Sequence, residues 1–92
     1  MFRGLLKYFP RALKYVAYVS WRCNEQHHPG SEIHWDKNKS TDHSDALLRH
    51  LQSYAIDPFG VDEDCVMHLG KVAWRALALL ETELTVIDVF EK

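Results

Sequence analysis

The chain has 92 residues, of which 47% are hydrophobic and 12% aromatic, and its 11 basic and 13 acidic side chains give a formal net charge of −2. A chain of this length forms one domain, 1–92, with a thin core. So much apolar surface in so short a chain predicts a core shared between copies in a homo-oligomer. The balanced charge, without a basic run, argues against a nucleic acid polymer as partner but is compatible with a small anion.

The sequence also predicts where the protein resides. No apolar run approaches the length of a membrane-spanning helix, and the opening segment, MFRGLLKYFP, is too short for the apolar region of a signal peptide. The two cysteines, Cys23 and Cys65, form no C-x-x-C pair, which favours a reducing compartment. We therefore expect a cytoplasmic protein that contacts no membrane.

The first predicted helix begins at Pro10, because proline is favoured in the first helical turn, and covers the segment PRALKYVAYVSWRCNEQ. Apolar residues lie on more than one side of it. Such a helix is normally buried on more than one side, which again indicates an oligomer. A loop is predicted from Glu25 to Ser40, a stretch that contains proline, glycine, asparagine and serine.

Two further helices and no sheet are predicted. Thr41 or Asp42 caps the second helix, which runs to about Ala55. The turn IDPFGVD follows, and Asp62 is predicted to cap a long third helix that reaches about Phe90, its acidic start matching the helix dipole. The apolar stripes of these helices include Leu48, Leu51, Leu69, Leu77 and Leu80.

Charged residues on the second helix have two interpretations. Asp42 and Asp45 share a face with Arg49, and two carboxylates three residues apart can hold one Mg²⁺. The alternative is a solvated face on which Asp45 pairs with Arg49. His43 and His50, seven residues apart, line a flank of the same helix.

The third helix and the loop before the second helix carry further candidates. His68, Lys71 and Arg75 lie in one file that either grips phosphate or forms the charged outer stripe of a bundle. Trp35 lies in a polar loop, where a tryptophan either closes the edge of a core or stacks on a ligand. The six histidines match no structural zinc spacing, and the cysteines are not paired to help them.

Two segments, HWDKNKSTDHSDALLRHL and HLGKVAWRALALLE, resemble the small helical family named for dATP/dGTP diphosphohydrolases. That family is common in bacteriophages and related to the MazG-like all-α nucleotide pyrophosphatases. Its members carry N-W in the loop, D-A-L-x-R-H on a helix, an acidic turn, and H-L-x-H-x-x-W-N-A-L-x-L-L-E. The resemblance extends from about Phe9 to Glu83, with Asp57 or Asp62 supplying the acidic turn.

The chain departs from the family pattern at three positions. Lys71 replaces the second histidine, Arg75 replaces the asparagine, and His34 replaces the asparagine before tryptophan. The MazG-type metal signature E-x-x-E…E-x-x-D is absent, and only Asp42-x-x-Asp45 is similar to half of it. These departures favour nucleotide binding over catalysis.

The resemblance implies an all-α, MazG-like bundle of three helices with one long C-terminal helix. It implies binding of a purine nucleotide or other phosphorylated small molecule, and Mg²⁺-dependent hydrolysis of a (deoxy)nucleoside triphosphate to the monophosphate and pyrophosphate. The implied catalytic residues are Asp45, His50 and His68. The implied metal ligands are Asp42, Asp45 and Glu81. The implied nucleotide-binding residues are Trp35, Arg49, Lys71, Trp74 and Arg75.

Two alternatives belong to different classes of protein. One is a non-catalytic phage protein, active in the cytoplasm of a bacterial host, that sequesters a nucleotide signal of host defence, cyclic dinucleotides included. The other is a structural or interaction module in which the aromatic first helix docks a partner.

Overall fold

A computed structural model of the chain describes residues 2–35 and 41–87. A single turn of π-helix, Phe2–Leu6, precedes three α-helices: α1 (Pro10–His27), α2 (His43–Ile56) and α3 (His68–Ile87). No strand occurs in these two ranges, so the predicted all-α class is confirmed. The predicted end of the third helix, at Phe90, lies outside the described residues.

The helix α1 begins at the residue that the sequence predicted. Pro10 occupies its first turn, and the helix ends at His27, within the predicted loop, where the His28 N–H donates to the Asn24 carbonyl oxygen at 2.6 Å. Pro29 and Gly30 follow, and Gly30 adopts a φ of 79°, a conformation that glycine allows without steric cost. The part of the predicted loop from 36 to 40 lies outside the described residues.

The helix α3 begins five residues later than predicted, at His68 rather than directly after Asp62. Residues 61–67 form a tight turn instead, closed by an antiparallel bridge between Val61 and Met67. Within this turn the Asp62 N–H donates to the Val66 carbonyl oxygen at 2.9 Å, and Cys65 adopts a φ of 64°. The acidic residues therefore belong to a turn and not to the N-terminus of a helix.

The helix α3 contacts both α1 and α2 and thereby organises the fold. The two helices α3 and α1 approach closely at Gly70, where a Cβ atom would lie 2.5 Å from Cε2 of Tyr15. The Tyr15 hydroxyl accepts a hydrogen bond of 2.9 Å from the Met67 N–H, which fixes the ring in this position. The start of α3 is thus held against the middle of α1.

The core of the single chain is small. Its buried apolar residues are Val19, Ala46, Val66 and Ala78. Five leucines of the predicted buried stripes are exposed in the single chain, namely Leu48, Leu51, Leu69, Leu77 and Leu80. The helices of the described residues include none that is both long and apolar enough to cross a bilayer.

Candidate functional site

Lys71 lies at the centre of an ion-pair cluster formed with the turn before α3. Its ammonium nitrogen is 2.7 Å from Oδ2 of Asp62 and 2.8 Å from Oδ2 of Asp64. The hydrogen bond from Lys71 lowers the pKa of Asp62 below its ordinary value. Burial alone would lower the pKa of Lys71, but its hydrogen bonds to the two carboxylates outweigh burial and raise it.

The position of Asp64 is fixed from two directions. Its side chain is 8% exposed, and its Oδ1 accepts a hydrogen bond of 3.2 Å from the Val66 N–H. From α1, the Arg22 side chain donates to the Asp64 carbonyl oxygen at 3.0 Å. These contacts hold the acidic turn against α1 and present its carboxylates to Lys71.

His50 of α2 and His68, the first residue of α3, meet at the end of this cluster. Their Nδ1 atoms are 3.1 Å apart, so one Nδ1–H donates to the other Nδ1, which is therefore unprotonated. Burial, followed by the charge of Lys71, lowers the pKa of His50 and favours its neutral form. One ring nitrogen of each histidine and a carboxylate oxygen of Asp62 all lie within 4.8 Å of one another.

Arg75 and His43 form a second polar pair, between α3 and α2. The Arg75 Nη1 donates to Nδ1 of His43 at 2.9 Å, which places the proton of the neutral imidazole on Nε2. His43 is 5% exposed, and its Nε2 has no hydrogen-bond partner among the described residues. The buried Oδ1 of Asn24 likewise lacks a partner there, while its amide nitrogen donates to the Ser31 carbonyl oxygen.

Two tryptophans lie beside this pair. The rings of Trp35 and Trp74 have centroids 5.7 Å apart at an interplanar angle of 77°, an edge-to-face arrangement. The Trp74 indole N–H donates to the Ser20 hydroxyl at 2.7 Å, which fixes its orientation. The ring of His43 lies 6.2 Å from each of the two indoles.

These groups border two adjoining cavities. A polar compartment of about 180 Å³ has His50, Asp64 and Lys71 in its wall. An aromatic compartment of about 520 Å³ has Asn24, Ile33, Trp35 and His43 in its wall. The two compartments have Cys23, His27, Trp74 and Arg75 in both walls, so they lie side by side, and together they are referred to as the cleft.

The structure gathers some of the predicted site residues and separates others. The cleft is bordered by Trp35, His50, Lys71, Trp74 and Arg75, and His68 contacts it through His50. Arg49 pairs with Asp42 at 3.5 Å on the exposed face of α2, and not with Asp45. Asp45 is exposed and lines neither compartment.

Glu81, predicted to complete the metal site, lies elsewhere on α3. It borders a groove of about 410 Å³ together with Leu77 and Leu80, and this groove shares Ser20, Trp35 and Trp74 with the aromatic compartment. Asp42, Asp45 and Glu81 do not form a close cluster of metal-binding groups in the described part of the chain. The catalytic and metal-binding roles inferred for these three residues stay predictions.

Three residues of the site were not identified as site residues from the sequence: Asn24, Asp62 and Asp64. The alternation Asp62-x-Asp64 shortly before a lysine was the available signal. It was interpreted as a helix start because acidic residues are favoured there. His43 was placed beside His50 by its spacing, but its contact with Arg75 depends on how α2 and α3 pack.

The described residues thus define an all-α chain with a cleft that is aromatic at one end and charged at the other. The family model described as dATP/dGTP diphosphohydrolase, N-terminal, matches residues 3–89. The chain belongs to this family, and the resemblance found in the sequence is confirmed. No curated protein and no solved structure matches the chain.

Proposed function

We propose that the cleft binds a purine deoxynucleoside triphosphate and that the protein hydrolyses it to the nucleoside monophosphate and pyrophosphate. The observation that supports this most is that an aromatic and a charged compartment lie side by side, with Trp74 and Arg75 in the wall of both. A nucleotide has the same division, with a flat base at one end and phosphates at the other. The family name, which refers to dATP and dGTP, agrees with this assignment.

The aromatic compartment suits a purine base in shape and in hydrogen bonding. Trp35 and Trp74 provide ring surfaces for stacking. The unpartnered Nε2–H of His43 is a donor, and the unpartnered Oδ1 of Asn24 is an acceptor. The edge of a purine presents both donors and acceptors, so a small shift of these buried groups toward the base would satisfy both.

Arg75 is the principal phosphate-binding candidate in the charged compartment. Its guanidinium can bind two phosphate oxygens at once, and its hydrogen bond to His43 holds it beside the aromatic compartment. Lys71 was also predicted to hold phosphate. Its charge is already balanced by Asp62 and Asp64, so we assign Lys71 mainly to positioning these carboxylates.

The proposed reaction has a simple balance. The oxygen of a water molecule forms a bond to the α-phosphorus and the bond from that phosphorus to the bridging oxygen breaks. One proton of the water leaves with the pyrophosphate, and the other is released from the monophosphate to the solvent. His50 and His68 border the place where the phosphates would lie, and their roles as catalytic residues stay predictions.

The second candidate function is sequestration of a nucleotide without chemistry, including a cyclic dinucleotide used in host defence. Two features favour it: the pairing of Lys71 with two carboxylates and the absence of the MazG-type carboxylate signature. A phage origin, which the resemblance implies for either function, stays a prediction. An interaction module is the third candidate, favoured by exposed Tyr18 and Trp21 on α1.

One experiment separates these functions. The protein is incubated with dATP, dGTP, the other nucleoside triphosphates and cyclic dinucleotides, with and without divalent ions, and the products are resolved by ion-exchange chromatography. Release of pyrophosphate from the purine deoxynucleotides supports the hydrolase. Recovery of an intact ligand after denaturation would select sequestration, and no binding at all would contradict both.

A pair of variants tests the cleft itself. Arg75→Gln is expected to weaken nucleotide binding at least ~10-fold, because it removes charge-assisted hydrogen bonds. Arg11→Gln is the matched control, since Arg11 is exposed at the start of α1 and borders neither compartment. Equal affinity in the two variants would show that the nucleotide binds elsewhere.

A further inference from the structure

We propose that His50, Asp62 and His68 form a binding site for a first-row divalent transition-metal ion, of which Zn²⁺ is the representative, and not for Mg²⁺. Each of the three residues offers one donor atom, and the three atoms lie within 4.8 Å of one another. This is the only group of its kind in the residues that the structure describes.

The spacing of the two histidine nitrogens fits such an ion, and the Asp62 oxygen, which lies within 4.8 Å of them, moves closer when the ion binds. Two nitrogens bound to a tetrahedral zinc at its usual bond length are roughly 3.3 Å apart. The Nδ1 atoms of His50 and His68 are 3.1 Å apart, so little movement is needed to place both around one ion. Three protein ligands also leave at least one position open for water or a ligand oxygen, as in catalytic zinc sites.

The fold brings the three ligands together from three different elements. His50 belongs to α2 and His68 begins α3, while Asp62 belongs to the turn between them. The bridge between Val61 and Met67 closes that turn and brings Asp62 close to His68. The packing of the helices and the turn therefore brings the three ligands near one another before any ion binds.

The surrounding charges favour a cation despite the nearby lysine. Asp62 and Asp64 carry two negative charges and Lys71 one positive charge, which leaves this group with a net charge of −1. Lys71 and the Glu63 N–H each donate to an oxygen of Asp62, and such outer contacts orient a ligating carboxylate. A carboxylate has about four lone-pair sites, so it can also bind the ion.

The donor set distinguishes the type of ion. Mg²⁺ prefers oxygen ligands and strict octahedral geometry, whereas imidazole nitrogen suits zinc and other first-row transition metals. A cluster of two imidazoles and one carboxylate therefore favours such a metal over Mg²⁺, whereas the Mg²⁺ expected at Asp42, Asp45 and Glu81 stays a separate prediction. The sequence did not identify these three residues as a set of metal ligands. His50 and Asp62 are 12 residues apart, and Asp62 and His68 are 6 apart, a spacing that depends on the turn and matches no helical or zinc-finger pattern.

The location connects this ion to the proposed reaction. His50 also borders the polar compartment, where the phosphates are placed. A bound ion of this class polarises a phosphate oxygen or lowers the pKa of a water ligand. This role rests on the proposed function, whereas the binding of the ion does not.

The test uses the full chain, treated with a chelator and free of nucleotide, in calorimetric titrations with Zn²⁺ and Mg²⁺. We expect one Zn²⁺ per chain and much weaker binding of Mg²⁺. His50→Gln and His68→Gln should each weaken Zn²⁺ binding by ~10-fold or more. Asp62→Asn should act similarly, with its fold checked by circular dichroism because this change also affects the pairing with Lys71.

The controls remove groups of the same chemistry outside the cluster. His28→Gln, Glu63→Gln and the double change Cys23→Ser with Cys65→Ser should leave Zn²⁺ affinity unchanged. Loss of binding in the cysteine variant, equal affinity for Mg²⁺, or wild-type affinity in both histidine variants would overturn the metal site. None of these results would show whether the protein binds or hydrolyses a nucleotide, so the metal site can be refuted without refuting the proposed function.

Discussion

Lys71 connects the acidic turn to α3 by contacting two carboxylates at once. Its side chain is 19% exposed and that of Asp64 only 8%, so the pair is largely removed from water. A charge in such a place is costly unless a partner of opposite sign remains close. Lys71 therefore keeps the turn folded as well as orienting Asp62.

Replacement of Lys71 by methionine is expected to destabilise the protein. The change leaves Asp64 nearly buried and without its cation, and we expect the free energy of unfolding to fall by about 1–3 kcal/mol. Urea denaturation of the metal-free protein, followed by circular dichroism, measures this. Lys14→Met provides the matched control, because Lys14 is exposed on α1. Equal stability of the two variants would contradict the structural role of Lys71.

The sequence predicted single residues well where a helix alone determined their position. Lys71 and Arg75 were expected on one face of a helix, and both border the cleft. Asp45 was placed in the site by the resemblance and by the face that it shares with Asp42, and this face of α2 is exposed. Spacing shows which side chains lie together on a helix, and only packing decides which face meets another helix.

At the scale of the helices, α1 and α3 are in close contact. Gly70 lies in the first turn of α3, at a point where a side chain would overlap the ring of Tyr15. The ring cannot move aside freely, because its hydroxyl accepts a hydrogen bond from the Met67 N–H. Glycine is therefore required for packing here, although it is a weak helix former.

Gly70→Ala tests this contact, because two effects of opposite sign compete. Alanine improves helix propensity by about 1 kcal/mol. A Cβ atom at 2.5 Å from Cε2 and 2.7 Å from Cδ2 of Tyr15 forces α1 and α3 apart, and such overpacking costs about 1–3 kcal/mol. We expect the clash to dominate, with a lower midpoint in thermal denaturation.

Gly4→Ala is the control for this substitution, since nothing lies within 4 Å of a Cβ atom there. In a Tyr15→Ala background the ring is absent, so adding Gly70→Ala should no longer destabilise the protein. The midpoint of the double variant should therefore lie above that of Tyr15→Ala alone. A midpoint raised by Gly70→Ala would show that α1 and α3 are not in close contact.

Helix boundaries were predictable to the extent that local signals determine them. Pro10 marked the start of α1 and Asp42 that of α2, in agreement with the structure, although Asp42 makes no side-chain capping hydrogen bond. The start of α3 was predicted wrongly. The chain turns at Cys65 with a positive φ, which is unusual for a residue other than glycine and is not visible in an acidic run.

At the scale of the whole molecule, the single chain covers little of its apolar surface. Its radius of gyration is 14.1 Å, whereas a compact domain of this length has one of about 12 Å. Large apolar side chains are exposed along all three helices, among them Trp21, Leu48 and Leu80. Contiguous exposed apolar surface is typical of a protein interface, which agrees with the predicted homo-oligomer.

The groove beside α3 is the surface on which this prediction is best tested. It borders on Val16, Leu77 and Leu80, and Leu80 is 55% exposed. We expect light scattering after size exclusion to give a multiple of the chain mass of 10.8 kDa, because assembly removes apolar surface from water. Leu80→Glu should shift the mass toward that of one chain, whereas Gln52→Glu, which adds the same charge at an exposed position of α2, should leave it unchanged. A wild-type protein that remains at the mass of one chain at micromolar concentration would show that the core is not shared.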